Sequence, residues 1–228
     1  MFAVIFTVQP KKERWNDYLN LAKYLKPKLE AIDGFIDNDR FESKRQKGRV
    51  LSLSTWRDEK AVIRWRTQGE HHGVQEKGRF EIFDDYHLSV GEITGDTDPP
   101  KGLRVEQQHF DATETGKGKV ATLTELTPTK DGALDADGLP AQLGLDTGRA
   151  GLVDAEVFES IYLPGKLLLL ALWRDARTSS TWTPARPAGA KTLRHRHVRI
   201  IRDYGMFDRR EAPQHYPDVK HSHRVAAE

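Results

Sequence analysis

Two adjacent imidazoles, His71 and His72, follow Trp65 in the stretch RWRTQGEHHGVQEK. An aromatic wall beside a base with an unperturbed pKa near 6.5 could hold a flat apolar molecule and take a proton from it. The surrounding residues read as one helix from about Glu59 to Lys77, with Asp58 as its N-cap and Gly78 as its stop. On a continuous helix, residues i and i+7 lie about two turns apart on nearly the same face. Trp65 and His72 would then share a cavity, with His71 rotated about 100° away. The competing reading makes Trp65 a core residue and both histidines helix caps.

Other catalytic apparatus is missing from the sequence. There is no cysteine, which excludes disulfides, thiolate nucleophiles and iron–sulfur ligation and is at home in the cytoplasm. No phosphate loop, G-x-S-x-G elbow or dinucleotide fingerprint is present, and GKGKV at 116–120 leads into a strand with no helix behind it. His215, His221 and His223 in the tail have no carboxylate or regular structure to set a coordination geometry, so no metal site is expected. The 36 Lys and Arg residues nearly balance 34 Asp and Glu, which gives no electrostatic case for nucleic acid or an anionic membrane. A small, uncharged aromatic or hydrophobic molecule, or a protein, is the better partner. The longest apolar run, LLLLALW at 167–173, is far below the roughly 20 residues of a membrane span.

The elements that must position these residues come from periodicity. FAVIFTV (2–8) has the composition of a buried strand, and an apolar stripe through Trp15, Tyr18, Leu19, Ala22, Leu25 and Leu29 predicts a helix over 12–29. Strands at 35–44 and 49–56 are joined by a Gln46-Lys47-Gly48 turn, and a last strand runs over 79–93. The order β-α-β-β-α-β is the ferredoxin-like split unit, with both helices on one sheet face.

The unit then recurs. GFIDNDRFES at 34–43 returns as GLVDAEVFES at 151–160, and Gly34/Gly151, Phe41/Phe158, Trp56/Trp173 and Trp65/Trp182 are all 117 residues apart. The second copy keeps strands at 119–128, 151–163, 167–173 and 197–204 but loses its helices. Only a short one is expected near 139–145, and TSSTWTPARPAGAKTLRH reads as a loop with one turn at most. Because Trp56 returns as Trp173 in the degraded copy, the strand-end Trp-Arg-Asp reads as a packing and capping device. The resulting division is 1–95, a linker at 96–118 with a short strand at 103–110, a degenerate repeat at 119–210, and a tail at 211–228. Periodicity is lost after Tyr204, where Met206, Phe207 and Tyr216 are apolar enough to dock on a surface.

With STWRDEKAVIRW, TQGEHHGVQEKGR and FEIFDDYHLSV in residues 54–90 and a weaker echo at 158–207, the chain resembles the antibiotic biosynthesis monooxygenase family of the dimeric α+β barrel class. The resemblance implies an α+β fold in which two ferredoxin-like sheets pair to close a barrel, here as a pseudo-dimer within one chain, with a homodimer left open. It also implies a pocket between helices and sheet in the first repeat and cofactor-free oxidation of an aromatic or quinol-like molecule by O2. His72, Trp65 and His71 would be catalytic, and Thr7, Trp56 and Tyr86 would touch substrate. The alternative is a non-enzymatic, small-ligand-binding or stress-associated module. Haem is a third reading: haem-degrading relatives use an Asn on strand one, a Trp on helix two and a His some way after it. Here those positions hold Thr7, Trp65 and, ten residues on, Gln75. Chlorite-dismutase-like relatives bind haem through a second-half histidine, a place near His195 and His197, but Arg194, Arg196 and Arg199 around them read as a solvated basic edge.

Overall fold

Side chains alternate across β1 (Phe2–Pro10), and that alternation sets up two cores at once. Ala3 and Ile5 point into one apolar interior, while Phe2, Val4, Phe6 and Val8 point the other way, under helices. The protein is described by a computed structural model covering residues 1–130, 132 and 134–220. His221 and His223 of the tail lie outside the described residues.

After β1 come α1 (Trp15–Glu30), β2 (Phe35–Ser43), β3 (Val50–Trp56), α2 (Glu59–Thr67), α3 (Gly69–Lys77) and β4 (Phe83–Asp96). The second copy supplies β5 (Val120–Pro128), α4 (Leu139–Gln142), β6 (Leu152–Ser160), β7 (Leu167–Trp173), α5 (Ala176–Ser179) and β8 (Ala190–Gly205). The eight strands close into one antiparallel barrel in the order β1-β3-β2-β6-β7-β5-β8-β4. Each half is thus a four-stranded ferredoxin-like sheet, and the halves meet at β2–β6 and β4–β8. The barrel interior is filled from both sheets by Phe41, Leu51, Leu53, Leu123, Phe158, Leu168, Leu170, Val198 and Ile200. β7 explains its own run of leucines: Leu168 and Leu170 face this interior, while Leu167, Leu169 and Trp173 face an outer core beneath α4 and Trp182.

The duplicated Phe-Glu-Ser is the hardware of the β2–β6 joint. Glu42 stands opposite its own repeat mate Glu159, with Phe41 against Ser160 and Ser43 against Phe158, so the internal twofold passes through the joint. Glu42 accepts from the N–H of Gly48 (3.3 Å) and Glu159 from that of Gly165 (3.1 Å). Both glycines hold positive φ, +78° and +79°, a region open to Gly at little steric cost. Ser43 accepts from Arg45 N and Gln46 N, and Ser160 from Tyr162 N and Leu163 N. The two serine hydroxyls also cross the joint, Ser43 donating to Glu156 (2.5 Å) and Ser160 to Asp39 (3.2 Å). The Trp-Arg-Asp device is duplicated too: Asp58 accepts from Ala61 N and Asp175 from Thr178 N, each capping a helix.

Four expectations change, the simplest being the strand read over 79–93, which starts at Phe83 because residues Gly78–Ile82 continue as a helical turn. The helix predicted over 59–77 is two helices, because Gln68 takes an extended conformation (φ −63°, ψ 126°) and its side chain caps α3 by accepting from His71 N at 2.6 Å. Gly69, a poor helix former, follows at the break. The strand expected at 103–110 does not form, since a closed barrel leaves no edge for it to join. Leu103 and Val105 pack on the barrel core instead, and the N–H groups of Gln108 and His109 bond the buried Glu92 carboxylate (2.6 and 2.9 Å). The last strand begins at Ala190, not 197, because residues 190–199 pair along β5.

Phe41→Ala and Phe158→Ala each remove a fully buried ring from the joint. Each is expected to cost about 3–5 kcal/mol, measured as a lower urea midpoint at unchanged slope.

Candidate active site

The two halves carry different covers on their outer sheet faces. In the second half Leu139, Leu143, Leu145 and Trp182 fill the space against β5 and β7. In the first half α1, α2 and α3 stand off the sheet and leave a cavity of about 220 Å³. Its sheet wall is Val4, Phe6, Asn38, Arg40, Ser52, Ser54, Tyr86, Leu88 and Val90, and its helix wall includes Tyr18, Leu25, Val62, Trp65, His71 and Val74. Arg202 and Tyr204 enter from β8. The segment after β8 crosses the opening with Arg209, Pro213, Gln214 and Tyr216. It is fastened there by Arg79, which donates to the carbonyls of Met206 (2.6 Å) and Pro217 (3.0 Å), and by Gln214 on Gln75 (3.3 Å).

The break at Gln68 exchanges the two histidines. His71, not His72, reaches the cavity: its ring stacks on Trp65 at 3.9 Å between centroids and 14° between planes. His71 Nδ1 lies 2.8 Å from the Trp65 carbonyl oxygen. Only a protonated Nδ1 can donate there, which leaves Nε2 with its lone pair free to accept. Burial disfavours the imidazolium and lowers the His71 pKa to about 4, so the ring is neutral at neutral pH. His72 is exposed and outside the cavity wall, its Nδ1 hydrogen-bonded to the Tyr216 hydroxyl at 3.2 Å. The i, i+7 face shared by Trp65 and His72 does not exist in a helix interrupted between them.

Two of the three residues expected to touch substrate lie elsewhere. Thr7 faces away from the cavity because its neighbour Phe6 faces in; its hydroxyl meets the His87 carbonyl (3.4 Å) and Arg49 beside a separate, more open cleft. Trp56 is fully buried, edge-on to Phe35, with its N–H on Ser54. It supports the wall from behind. Tyr86 does line the cavity, and its hydroxyl accepts from Arg79 (3.1 Å) and Arg209 (2.9 Å). Burial raises the pKa of Tyr18, and pushes that of Tyr204 up to about 12 although Arg66, Arg209 and Arg202 oppose the shift. Both phenols are protonated donors.

Asn38, Arg40, Ser52 and Ser54 were missed as site residues. The signal was available: on β2 and β3 they alternate with Phe41, Leu51 and Leu53, so they must lie on the helix-covered face. His195 and Arg196 are not a solvated edge. His195 is buried, with one ring nitrogen 2.8 Å from the Thr124 hydroxyl and the other 3.1 Å from His197 Nε2. Arg196 is buried against Glu125 and Thr55. Among the described residues, no group of three or more His, Asp or Glu side chains is placed to hold a metal ion, and no helix is long and apolar enough to cross a membrane.

Closed barrel, standing helices and a cavity between helix and sheet define an α+β barrel protein with a small-molecule site. Residues 1–77 match the antibiotic biosynthesis monooxygenase family. Over 222 residues the chain is 40% identical to "Jasmonate monooxygenase ABM" of Pyricularia oryzae (strain 70-15), covering 95% of this chain and 99% of that one. The chain belongs to the antibiotic biosynthesis monooxygenase family. Its fold is also that of an aldoxime dehydratase crystal structure, at a TM-score of 0.54 and 13% identity over 88% of this chain and 81% of that one.

Since the folded pKa of His71 lies below its ordinary 6.5, the unfolded chain binds the extra proton first as pH falls. Stability is therefore expected to decline between 6.5 and about 4. His71→Asn, which keeps an N–H for Trp65, should make the decline shallower in unfolding midpoints across that range; an unchanged slope would assign it to other groups.

Proposed function

We propose that the protein is a cytoplasmic, cofactor-independent monooxygenase that oxidises a small, largely apolar aromatic or quinol-like molecule with O2. The observation that carries the reading is His71, a neutral imidazole held in one tautomer on Trp65 with Nε2 left free to accept, in the wall of a cavity otherwise lined mainly by apolar groups. Family membership supports the reaction type. The relative named for jasmonate, similar along nearly its whole length, supports it as well and makes jasmonate a second substrate to test.

In this mechanism His71 Nε2 takes a proton from the substrate. An imidazole with a pKa of about 4 is a weak base for a phenol near pKa 10, so the site must also stabilise the anion. The guanidinium groups in the wall, Arg66 and Arg202 among them, lower the substrate's pKa by favouring its charged form. For a quinol-type substrate whose keto tautomer carries a CH2 group, the anionic carbon forms a C–O bond with O2, and the peroxide takes back the proton from His71. Loss of the second C–H then breaks the O–O bond, leaving a carbonyl on the substrate and water. The substrate supplies all four electrons, so no further reductant enters. Tyr204, kept protonated by burial, can donate a hydrogen bond to the developing oxyanion.

Oxygen uptake with anthrone, a panel of hydroquinones and jasmonate tests the proposal. His71→Ala should lower turnover about 10²–10⁴-fold, while His72→Ala leaves it within a small factor. The reverse ranking would overturn the assignment of the base, and no uptake with any substrate would leave a binding module.

A further inference from the structure

The chain as a whole is almost neutral, but the cavity is not. Its wall holds Lys26, Arg40, Arg66, Arg202 and Arg209 and a single carboxylate, Glu59, which itself sits 3.5 Å from His109. Lys26 has Glu30 nearby at 3.9 Å. Among the described residues none of the four arginines forms an ion pair, although acidic side chains pair with arginine repeatedly elsewhere, as at Arg45, Arg57 and Arg194.

Arg40 is the sharpest instance. It rises from β2 in the sheet wall and is only 9% exposed. Nη1 donates to the Tyr162 hydroxyl at 2.9 Å, the Tyr18 phenol is a second hydrogen-bond partner, and Nε is buried with no partner, so among the described residues the guanidinium has neutral phenols around it and no carboxylate. Arg196 and Arg79 share the buried, partnerless Nε, but neither lines the cavity: Arg196 faces Glu125 inside the barrel, and Arg79 donates to two carbonyl oxygens and a phenol. A guanidinium cannot escape burial by losing its proton, and a buried charge without a counter-charge is costly. Arg66 repeats the pattern with a buried, partnerless Nε on the same cavity.

We infer that the ligand of this cavity carries a permanent carboxylate, and that Arg40 is the residue that selects it. The inference rests on the reading of this cavity as the substrate site. The Nε–H and adjacent Nη–H of a guanidinium form a planar fork that matches the two oxygens of a carboxylate. A compact carboxylate with an apolar body also suits a cavity of about 220 Å³ whose remaining wall is largely Leu, Val and Phe. Arg40 lies on the sheet wall and His71 on the helix wall, so an anion held on Arg40 orients the rest of the molecule toward the base.

Naphthalene-1-acetate and its methyl ester, nearly equal in shape and different in charge, provide the test. Binding to the full chain is followed by calorimetry and by quenching of tryptophan emission, with Trp65→Phe identifying the reporting ring. The acid should bind about ten- to a hundredfold more tightly than the ester. Arg40→Met should abolish that preference while leaving ester affinity unchanged. Equal affinities in the wild type would overturn the carboxylate assignment and leave the cavity a ligand site, and a preference that survives Arg40→Met would overturn the assignment of its recognition to Arg40. Failure of both compounds to bind would overturn the reading of the cavity as well. If Arg40→Met does not fold, the acid-to-ester ratio of the wild type decides alone.

Discussion

Everything in this molecule depends on closing one barrel from two unequal sheets, and the weakest point of that closure is the β2–β6 joint, where only three residue pairs meet. Short edges can slip, and a slip of one residue would send Phe41 and Phe158 out of the interior. The joint resists this by pinning each strand's turn to its own side chains and then crossing over, Ser43 to Glu156 and Ser160 to Asp39. Lys166 adds an ion pair to Asp39 at 2.9 Å, and Arg45 one to Glu156 at 2.9 Å. The polar atoms at the joint are thereby satisfied across the same twofold that places the two phenylalanines in the centre.

Once closed, the barrel leaves each sheet one outer face, and the fate of that face separates the halves. Gly34 and Gly151 make the same turn, with φ of +92° and +88°, and each carbonyl accepts from the residue after a strand-end Trp. From that common point the covers diverge. Trp182 collapses onto Trp173 and bonds the Leu143 carbonyl, filling the second half. Trp65 is held off the sheet by a two-part helix and stacks on His71. One half has become scaffold and the other keeps the cavity.

This history explains what could be read directly. The repeat, the strand order and the capping aspartates are local or periodic signals, and they carry into the structure almost residue for residue. The exchange of His71 for His72 was not legible from periodicity, because a continuous-helix reading cannot see that Gln68 prefers to cap the next segment; Thr-Gln-Gly at 67–69 was the only hint. The strand expected at 103–110 failed for a non-local reason, the absence of a free edge in a closed barrel. Net charge is silent on the cavity, since a sum over the chain says nothing about which arginines are left without acids. Alternation along β2 would have placed Arg40 on the covered face.

His71 and Arg40 answer the same desolvation in opposite ways. Burial pushes the His71 pKa down to about 4, so that side chain sheds its proton, becomes neutral and becomes a base. Arg40 has no such exit, because its guanidinium remains charged under any condition in which the fold survives. The low-polarity environment that creates the base therefore also creates a fixed positive charge in search of an anion, on the opposite wall. A ligand with a carboxylate and an apolar body would satisfy the arginine without protonating the histidine, and its binding would lower the cost of keeping that charge buried. On this reading the cavity's electrostatics bind one end of the molecule and leave the other to react.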